Sequence, residues 1–311
     1  MTKPCLLLLI PIDAPSRATL SSVFELIDAR DAATLARACA EHGQQLRIAL
    51  TTGTAGMSVQ LMDRLPQLSL VGALGVGYEN IDLAAAQARG ITVTNGAGSN
   101  ADCVADHALG LLLAVVRDIP VLDRSTRDGI WRDALPARPN VSGKKMGIVG
   151  YGHIGRAVAQ RARAFNMAIG YHSRNRRADS DDLYLDSVAG LAQWADYLVL
   201  AAPGGSATRH MVSHAELRAL GPNGYLVNVA RGSLVDTQAL ASALRDGVLA
   251  GAALDVYEGE PAAPAALLAS TRVVLTPHVA GRSPEAVANS VALFIDNVTR
   301  HLAGQPVLTP V

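Results

Sequence analysis

Cysteine is scarce. Cys5, Cys39 and Cys103 are the only three, far apart and without a spacing that would pair them or bind a metal. That excludes a disulfide scaffold and fits a reducing compartment, pointing to the cytoplasm, with each thiol a small apolar filler. Charge is sparse as well. Charged residues make up 17% and the formal net charge is +0, so no global field favours nucleic acid or an anionic membrane. Half the residues are hydrophobic, which excludes disorder. No apolar run reaches the roughly 18 residues of a membrane span. The run Cys5–Ile10 is short, is broken by Pro11 and has no small-residue cleavage site directly after it. It reads as a buried first strand, not a secretion signal. No repeat of solenoid period is visible. The chain has 311 residues, enough for roughly two domains with sizeable cores.

Glycine is plentiful, and three of the 28 organise the chain. The apolar run Met146–Val149 is followed by Gly150, Gly152 and Gly155 in the spacing G-x-G-x-x-G. A helical pattern then puts Ile154, Val158, Ala162 and Phe165 on one face, and Met167–Tyr171 reads as the next strand. Strand, turn, helix and strand in this order are the setting that a dinucleotide fingerprint requires. The first glycine allows a sharp turn, the second a close approach of backbone to a pyrophosphate, and the third close packing of helix on strand. Free N–H groups and the positive end of the helix dipole then face the phosphates. In a chain this rich in glycine the spacing alone is weak, and the setting is what specifies it.

Residues 1 to about 98 alternate strand and helix. Strands are expected at Cys5–Ile10, Arg47–Thr51, Leu68–Leu74 and Ile91–Thr94, and helices at Ala32–His42 and Leu83–Arg89. That alternation implies a parallel sheet. The loop Leu74-Gly75-Val76-Gly77 reads equally as a backbone cradle for a small anion or as an ordinary strand-end turn. Asn95–Asn100 is a cluster of turn formers and a candidate hinge. An apolar helix over Cys103–Arg117 follows. The more polar Val121–Asn140 carries Trp131, and reads either as an arm packing on a second subunit or as a surface excursion over the sheet edge. Beyond the glycine loop, further strands are expected at 197–203, 224–230, 251–257 and 273–276, giving six strands in this half. A last helix follows the capping signal Ser283-Pro284-Glu285. The expected fold class is α/β, with doubly wound parallel sheets.

In an open parallel sheet, ligands gather at the carboxyl ends of the strands. There the chain carries Ser173-Arg174, Pro203, Arg231, Asp255, Glu260 and His278. Reduction of a 2-oxo acid needs a cation for the carboxylate, a proton donor for the carbonyl oxygen and a hydride source. Arginine suits the first through its bidentate fork. Histidine suits the second, because imidazole titrates near neutrality and a nearby carboxylate orients it.

Four segments carry a family resemblance: Gly75–Asp82, Val227–Asp236, Ala252–Pro261 and Leu275–His278. In order and content they resemble the signatures of the D-isomer-specific 2-hydroxyacid dehydrogenases, and the chain is most similar to their glyoxylate and hydroxypyruvate reductase branch. The resemblance spans about 70 to 311 and is looser before that. It implies two α/β domains, a Rossmann-type cofactor domain and a flavodoxin-like substrate domain, with the active site in the cleft. The substrate domain would be discontinuous, 1–98 with 283–311, around a cofactor domain at 99–282 that includes a dimerisation arm near 117–140. The family pattern implies that Arg231 clamps the substrate carboxylate. It further implies that His278 is the general acid and that Glu260, directly before Pro261, pairs with it in preference to Glu258. Leu74, Gly75, Val76 and Gly77 would form the substrate loop, with N–H groups of Val76 and Gly77 on the carboxylate. Trp131 would reach the pocket of a neighbouring subunit in a homodimer. Along the cofactor it implies Gly150, Gly152, His153, Ile154 and Gly155 at the phosphates, Pro203, Thr208, Val229 and Ala280 lining the site, and Asp255 on the nicotinamide carboxamide.

Cofactor choice can be read further from residues. In an NAD-specific domain, an acidic residue about 20 positions past the glycine motif binds both ribose hydroxyls. Here Ser173 holds that place, with Arg174, Arg176 and Arg177 after it. The expectation is NADP as preferred cofactor with NAD possible, through Ser173, Arg174 and Arg176. A solvated arginine run neutralised by Asp179, Asp181 and Asp182 is the competing reading. Many members follow the catalytic histidine with Gly-Ser or Ala-Ser and a threonine; here the run is Val279-Ala280-Gly281-Arg282-Ser283-Pro284, and Arg282 opens the question of substrate. Within the fold, phosphoglycerate dehydrogenase and a non-enzymatic dinucleotide-sensing corepressor are the alternatives. The first calls for more basic residues near the substrate loop, and the second for added interaction segments that this sequence lacks. Formate dehydrogenase would have Gln where Glu260 stands.

Overall fold

The computed structural model describes residues 3–311, in two compact units. One comprises the chain up to Asn100 together with Arg282–Val311; the other is Ala101–Gly281.

The first unit runs β1 (Cys5–Leu8), α1 (Ala14–Val23), β2 (Glu25–Asp28), α2 (Ala32–His42), β3 (Ile48–Thr51), α3 (Val59–Asp63), β4 (Leu70–Ala73), α4 (Leu83–Ala88) and β5 (Thr92–Thr94). The strands are parallel, in the order β2-β1-β3-β4-β5, the flavodoxin-like winding. β3 and β4 are buried throughout, which is why they read as unbroken apolar runs. The sequence marks four strands here, not five. β2 escapes it because it is a four-residue edge strand with Glu25 and Asp28 at its ends, so no apolar run announces it.

The second unit continues with α5 (Ala101–Val116), α6 (Ile119–Arg127), β6 (Lys145–Val149), α7 (His153–Ala164), β7 (Ala168–His172), β8 (Leu183–Tyr184) and α8 (Val188–Trp194). Then come β9 (Tyr197–Leu200), α9 (His214–Leu220), β10 (Tyr225–Asn228), α10 (Thr237–Arg245), β11 (Gly251–Leu254), α11 (Ala265–Leu268) and β12 (Val273–Leu275). The order is β12-β11-β10-β9-β6-β7-β8, again parallel. The strand order reverses between β6 and β9, which is the switch point of a doubly wound sheet. The sheet has seven strands where six were expected; the extra one, β8, is a two-residue edge strand too short to leave a pattern. One face packs on α5 and α7 through Val104, Ala108, Leu112, Val158 and Ala162, and the other on Leu191, Leu217, Leu240 and Leu244.

The chain ends on the first unit. α12 (Pro284–Leu302) begins at Ser283, whose hydroxyl accepts the Ala286 N–H at 3.0 Å. It buries Val291, Phe294 and Val298 against Leu6, Leu8, Leu20 and Phe24. A Cβ on Gly72 would lie 2.4 Å from the Phe294 ring, so β4 needs a glycine for the helix to seat. The last residues cover the open edge of β5, with Val311 N donating to Val93 O at 3.0 Å and Asn95 N to Thr309 O at 3.2 Å; this leaves less unpaired edge for a foreign strand. α6 buries none of its residues, and Ile119, Ile130 and Trp131 nearby are exposed.

Candidate active site

Everything chemical in the second unit lies at the carboxyl edge of its sheet. Gly150 leaves β6 with φ +90, and a Cβ there would sit 2.5 Å from Ala202 N at the end of β9. Only glycine fits that turn. Gly155 passes so close to Gly150 O that a Cβ would come within 2.1 Å. A Cβ on Gly152 would instead point into open space. Gly152 is the cap residue of α7 and offers no side-chain partner to the first-turn N–H groups, which include those of His153, Ile154 and Gly155. A pyrophosphate meets bare, dipole-oriented N–H groups there, so the residues present fit a dinucleotide.

On the neighbouring strand, the loop after β7 is folded back on α7. Asp182 receives Arg163 Nη2 at 2.6 Å on both carboxylate oxygens, Ser180 Oγ at 3.0 Å, and the Tyr151 hydroxyl. Burial alone would raise the Asp182 carboxyl, but these bonds outweigh it and hold it below the usual range. Burial pushes the Tyr151 phenol up to about 12, and the Asp182 carboxylate adds to this. Asp179 pairs with Arg156 at 2.7 Å. Two of the three aspartates that follow the arginine run are thus taken up by α7. Arg174 and Arg176 are exposed and enter no ion pair among the described residues. Ser173 Oγ donates to Asn175 O at 2.7 Å, so its proton is engaged within the loop.

Arg231, Glu260 and His278 follow the adjacent strands β10, β11 and β12. His278 Nδ1 lies 2.7 Å from Glu260 Oε2, while Glu260 Oε1 accepts the Tyr257 N–H at 3.1 Å. His278 sits in the left-handed region at φ +54, uncommon for a residue with a side chain. Asp255 holds it there. The Asp255 carbonyl accepts His278 N–H at 2.8 Å. Its carboxylate, 1% exposed, accepts Val279 N and Ala280 N at 2.9 Å and Thr276 Oγ1 at 2.5 Å. Asn228, fully buried, shapes the turn before Arg231: its Oδ1 accepts Ala230 N–H and its Nδ2 donates to Arg231 O, both at 3.0 Å. Arg231 Nη1 donates to Ala230 O at 2.6 Å. Gly232 is required next, because a Cβ would lie 2.1 Å from the Tyr257 carbonyl carbon. Glu258 faces elsewhere, toward His210 at 2.8 Å.

Of the remaining expected residues, Pro203 is exposed and its carbonyl accepts the Thr208 hydroxyl at 2.9 Å. Val229 and Ala280 are buried. Trp131 is 68% exposed. In the first unit, Gly75 has φ +108, and Asn95 Nδ2 donates to Val76 O at 2.7 Å. Gly96 N donates to Gly75 O at 2.6 Å, and Leu74 packs into the core beside α12. The N–H groups of Val76 and Gly77 donate to no group among the described residues. Arg282 is exposed beside the α12 cap. Sequence reasoning passed over His107, whose Nε2 lies 3.0 Å from Thr276 Oγ1 and 3.5 Å from Asp255 Oδ1. The signal in the sequence is a histidine beside Asp106 at the start of the long apolar run of α5. No set of three His, Cys, Asp or Glu among the described residues could hold a metal ion, and no helix there is long and apolar enough to cross a membrane.

Comparison with known proteins follows the same outline. Residues 109–280 match the family described as D-isomer specific 2-hydroxyacid dehydrogenase, NAD binding domain. The chain is 40% identical over 269 residues to hydroxyphenylpyruvate reductase of Plectranthus scutellarioides, covering 86% of each. It is 41% identical over 271 residues to a glyoxylate/hydroxypyruvate reductase of Arabidopsis thaliana, covering 87% of each. The NADPH-dependent glyoxylate/hydroxypyruvate reductase of Sinorhizobium meliloti, solved with NADP and malonate, superposes with a TM-score of 0.89 at 37% identity, over 100% of this chain and 97% of that one. With a family match over more than half its length, relatives near 40% identity, and a dinucleotide loop on the same sheet edge as a paired histidine and glutamate, the chain belongs to the D-isomer-specific 2-hydroxyacid dehydrogenases, NAD(P)-dependent oxidoreductases of 2-oxo and 2-hydroxy acids.

Proposed function

We propose that the protein reduces a small 2-oxo acid, glyoxylate or hydroxypyruvate, to the D-2-hydroxy acid with NADPH. The observation that carries this is the 2.7 Å pairing of His278 with Glu260 at the strand end next to Arg231. Arg231 binds the substrate carboxylate and polarises the carbonyl; in the first unit, the N–H groups of Val76 and Gly77 are open to a small anion. His278 gives its proton from Nε2 to the carbonyl oxygen, since Nδ1 faces Glu260. Glu260 keeps the ring oriented for that transfer. Bound NADPH supplies the hydride to the carbonyl carbon. Gly150, Gly152, His153, Ile154 and Gly155 hold its pyrophosphate, while Pro203, Thr208, Val229, Asp255 and Ala280 border the remainder. Arg174 and Arg176 bind the 2′-phosphate, which is supported by the pairing of Asp179 and Asp182 with α7 rather than with them. The unit of Ala101–Gly281 serves as cofactor domain and the other as substrate domain. The exposed apolar residues of 117–140 pack on a second copy, giving a cytoplasmic homodimer in which Trp131 reaches the partner's pocket.

A substrate panel tests the reading: glyoxylate, hydroxypyruvate, hydroxyphenylpyruvate and phosphohydroxypyruvate, each with NADPH and NADH. The expected ranking has the two small acids first and NADPH above NADH. Faster kcat/KM for an aromatic or phosphorylated acid would overturn the substrate assignment. His278→Ala should lower kcat by a factor on the order of 10²–10⁴, and a normal kcat in that variant would overturn its role as acid.

A further inference from the structure

A second histidine–glutamate pair lies behind the first. Glu258 and Glu260 flank Gly259, which has φ +84, and their side chains go to different partners. Glu260 meets His278. Glu258 Oε1 accepts His210 Nε2 at 2.8 Å, and its Oε2 accepts the Thr237 hydroxyl at 2.8 Å and the Thr237 N–H at 3.3 Å. Burial alone would raise the Glu258 carboxyl, but the bonds from His210 and Thr237 outweigh it and hold it below the usual range. His210 is itself left-handed, at φ +51.

What this pair holds matters more than the pair. No backbone hydrogen bond among the described residues ties Tyr257–Glu260 to a neighbouring loop; Tyr257 N goes to Glu260 Oε1 and Gly259 O accepts Ala262 N within the turn itself. The Glu258 side chain is therefore its polar tether to the loops after β9 and β10. The His210 end of that tether is firm, because His210 N donates to Ser233 O at 2.8 Å and Val212 N to Leu234 O at 3.0 Å. The same turn is the wall against which Gly232 is pressed, one residue after Arg231. Movement of Tyr257–Glu260 would shift Glu260 away from His278 and loosen Arg231 together.

We propose that Glu258 and His210 are positioning residues for the reaction: their pairing fixes the Tyr257–Glu260 turn, and through it the placement of both Glu260 and Arg231. The inference rests on the reductase reading. The charged groups around the pair are Arg209, 3.6 Å from Glu258, and Asp236, whose Oδ1 caps α10. Arg209 reaches Glu258 from the same loop as His210 but at 3.6 Å against 2.8 Å and with an exposed side chain, and Asp236 bonds to α10 and Ser213.

The test is steady-state kinetics of the whole chain with glyoxylate and NADPH for Glu258→Ala, His210→Ala and His210→Gln. Melting temperatures and NADPH dissociation constants from fluorescence titration are measured alongside. Glu258→Ala and His210→Ala should each lower kcat/KM for the acid roughly tenfold or more, because small displacements of a reacting group are costly. The loss should fall on both KM and kcat, since Arg231 and Glu260 move together. The NADPH dissociation constant should stay within about twofold, because the cofactor loop keeps its backbone anchors. His210→Gln retains an N–H donor of similar reach and should recover most of the loss. An unchanged kcat/KM in both alanine variants would overturn the inference. So would a fall in kcat alone that tracks a fall in melting temperature, or a glutamine variant as poor as the alanine one. Absence of turnover in the unsubstituted protein overturns the reductase reading as well, which separates the two failures.

Discussion

The most exacting test of the site's construction is Asp255→Asn. The Asp255 carboxylate has almost no solvent contact and accepts two backbone N–H groups and one hydroxyl from the segment that carries His278. Asparagine keeps one oxygen. If that oxygen stays on Val279 N and Thr276 Oγ1, the new NH₂ faces the Ala280 N–H, a donor against a donor. One charge-assisted bond worth roughly 1.5–3 kcal/mol is lost, and a buried N–H is left unsatisfied at a further cost of about 1–3 kcal/mol. A destabilisation of about 3 kcal/mol or more is expected. At roughly 2–4 °C per kcal/mol for a unit of this size, the melting temperature should drop by about 6–12 °C. Because the carboxylate bonds fix the residues on both sides of the left-handed His278, kcat should fall even where the variant remains folded. Thermal melts followed by circular dichroism, with kinetics well below the transition, measure both. A melting temperature within about 1 °C of the parent, with normal kcat, would refute the argument that this carboxylate builds the turn. An unchanged melting temperature with a raised NADPH KM would instead assign Asp255 to the nicotinamide alone.

Three further outcomes are expected. Arg174→Ala should raise KM for NADPH at least tenfold, as loss of a charged bond of roughly 1.5–3 kcal/mol requires, and leave NADH use nearly unchanged; equal kcat/KM for both cofactors in the parent would remove the basis for this. Light scattering should show a dimer at micromolar concentration, and Trp131→Ala should raise KM for the 2-oxo acid; a monomer contradicts the first, and an unchanged KM the second. Burial first, and then the Arg47 guanidinium, hold the His301 imidazole below its ordinary 6.5, with Nε2 3.0 Å from Ser69 Oγ. A depressed imidazole contributes stability that is present above the unfolded value and is lost as pH falls through the folded one. His301→Gln should therefore flatten the decline in melting temperature as pH is lowered from about 7.5 to about 5; an equally steep decline in both proteins would contradict this.

The sequence by itself determined what depends on near neighbours. The glycine loop was legible because strand, turn, helix and next strand lie within one continuous stretch, Lys145–His172, whose sterics are local. The buried central strands were legible because burial on both faces leaves an unbroken apolar run. The edge strands β2 and β8 were not, since a short strand covered on few sides carries no such run. The chemistry at the strand ends was legible as residue types and, through resemblance, as the pairing of Glu260 with His278, but not in its other partnerships. Glu258 is the same residue type two positions before Glu260, and only the fold sends it to His210. Asp179 and Asp182 stand beside an arginine run in sequence, yet α7 claims them through Arg156 and Arg163. The role of Asp255 in shaping the His278 turn, and the presence of His107 behind it, depend on β11, β12 and α5 coming together across long stretches of chain. Hydrogen bonds between residues distant in sequence are decided by packing, which fixes direction and distance only once the sheet has formed.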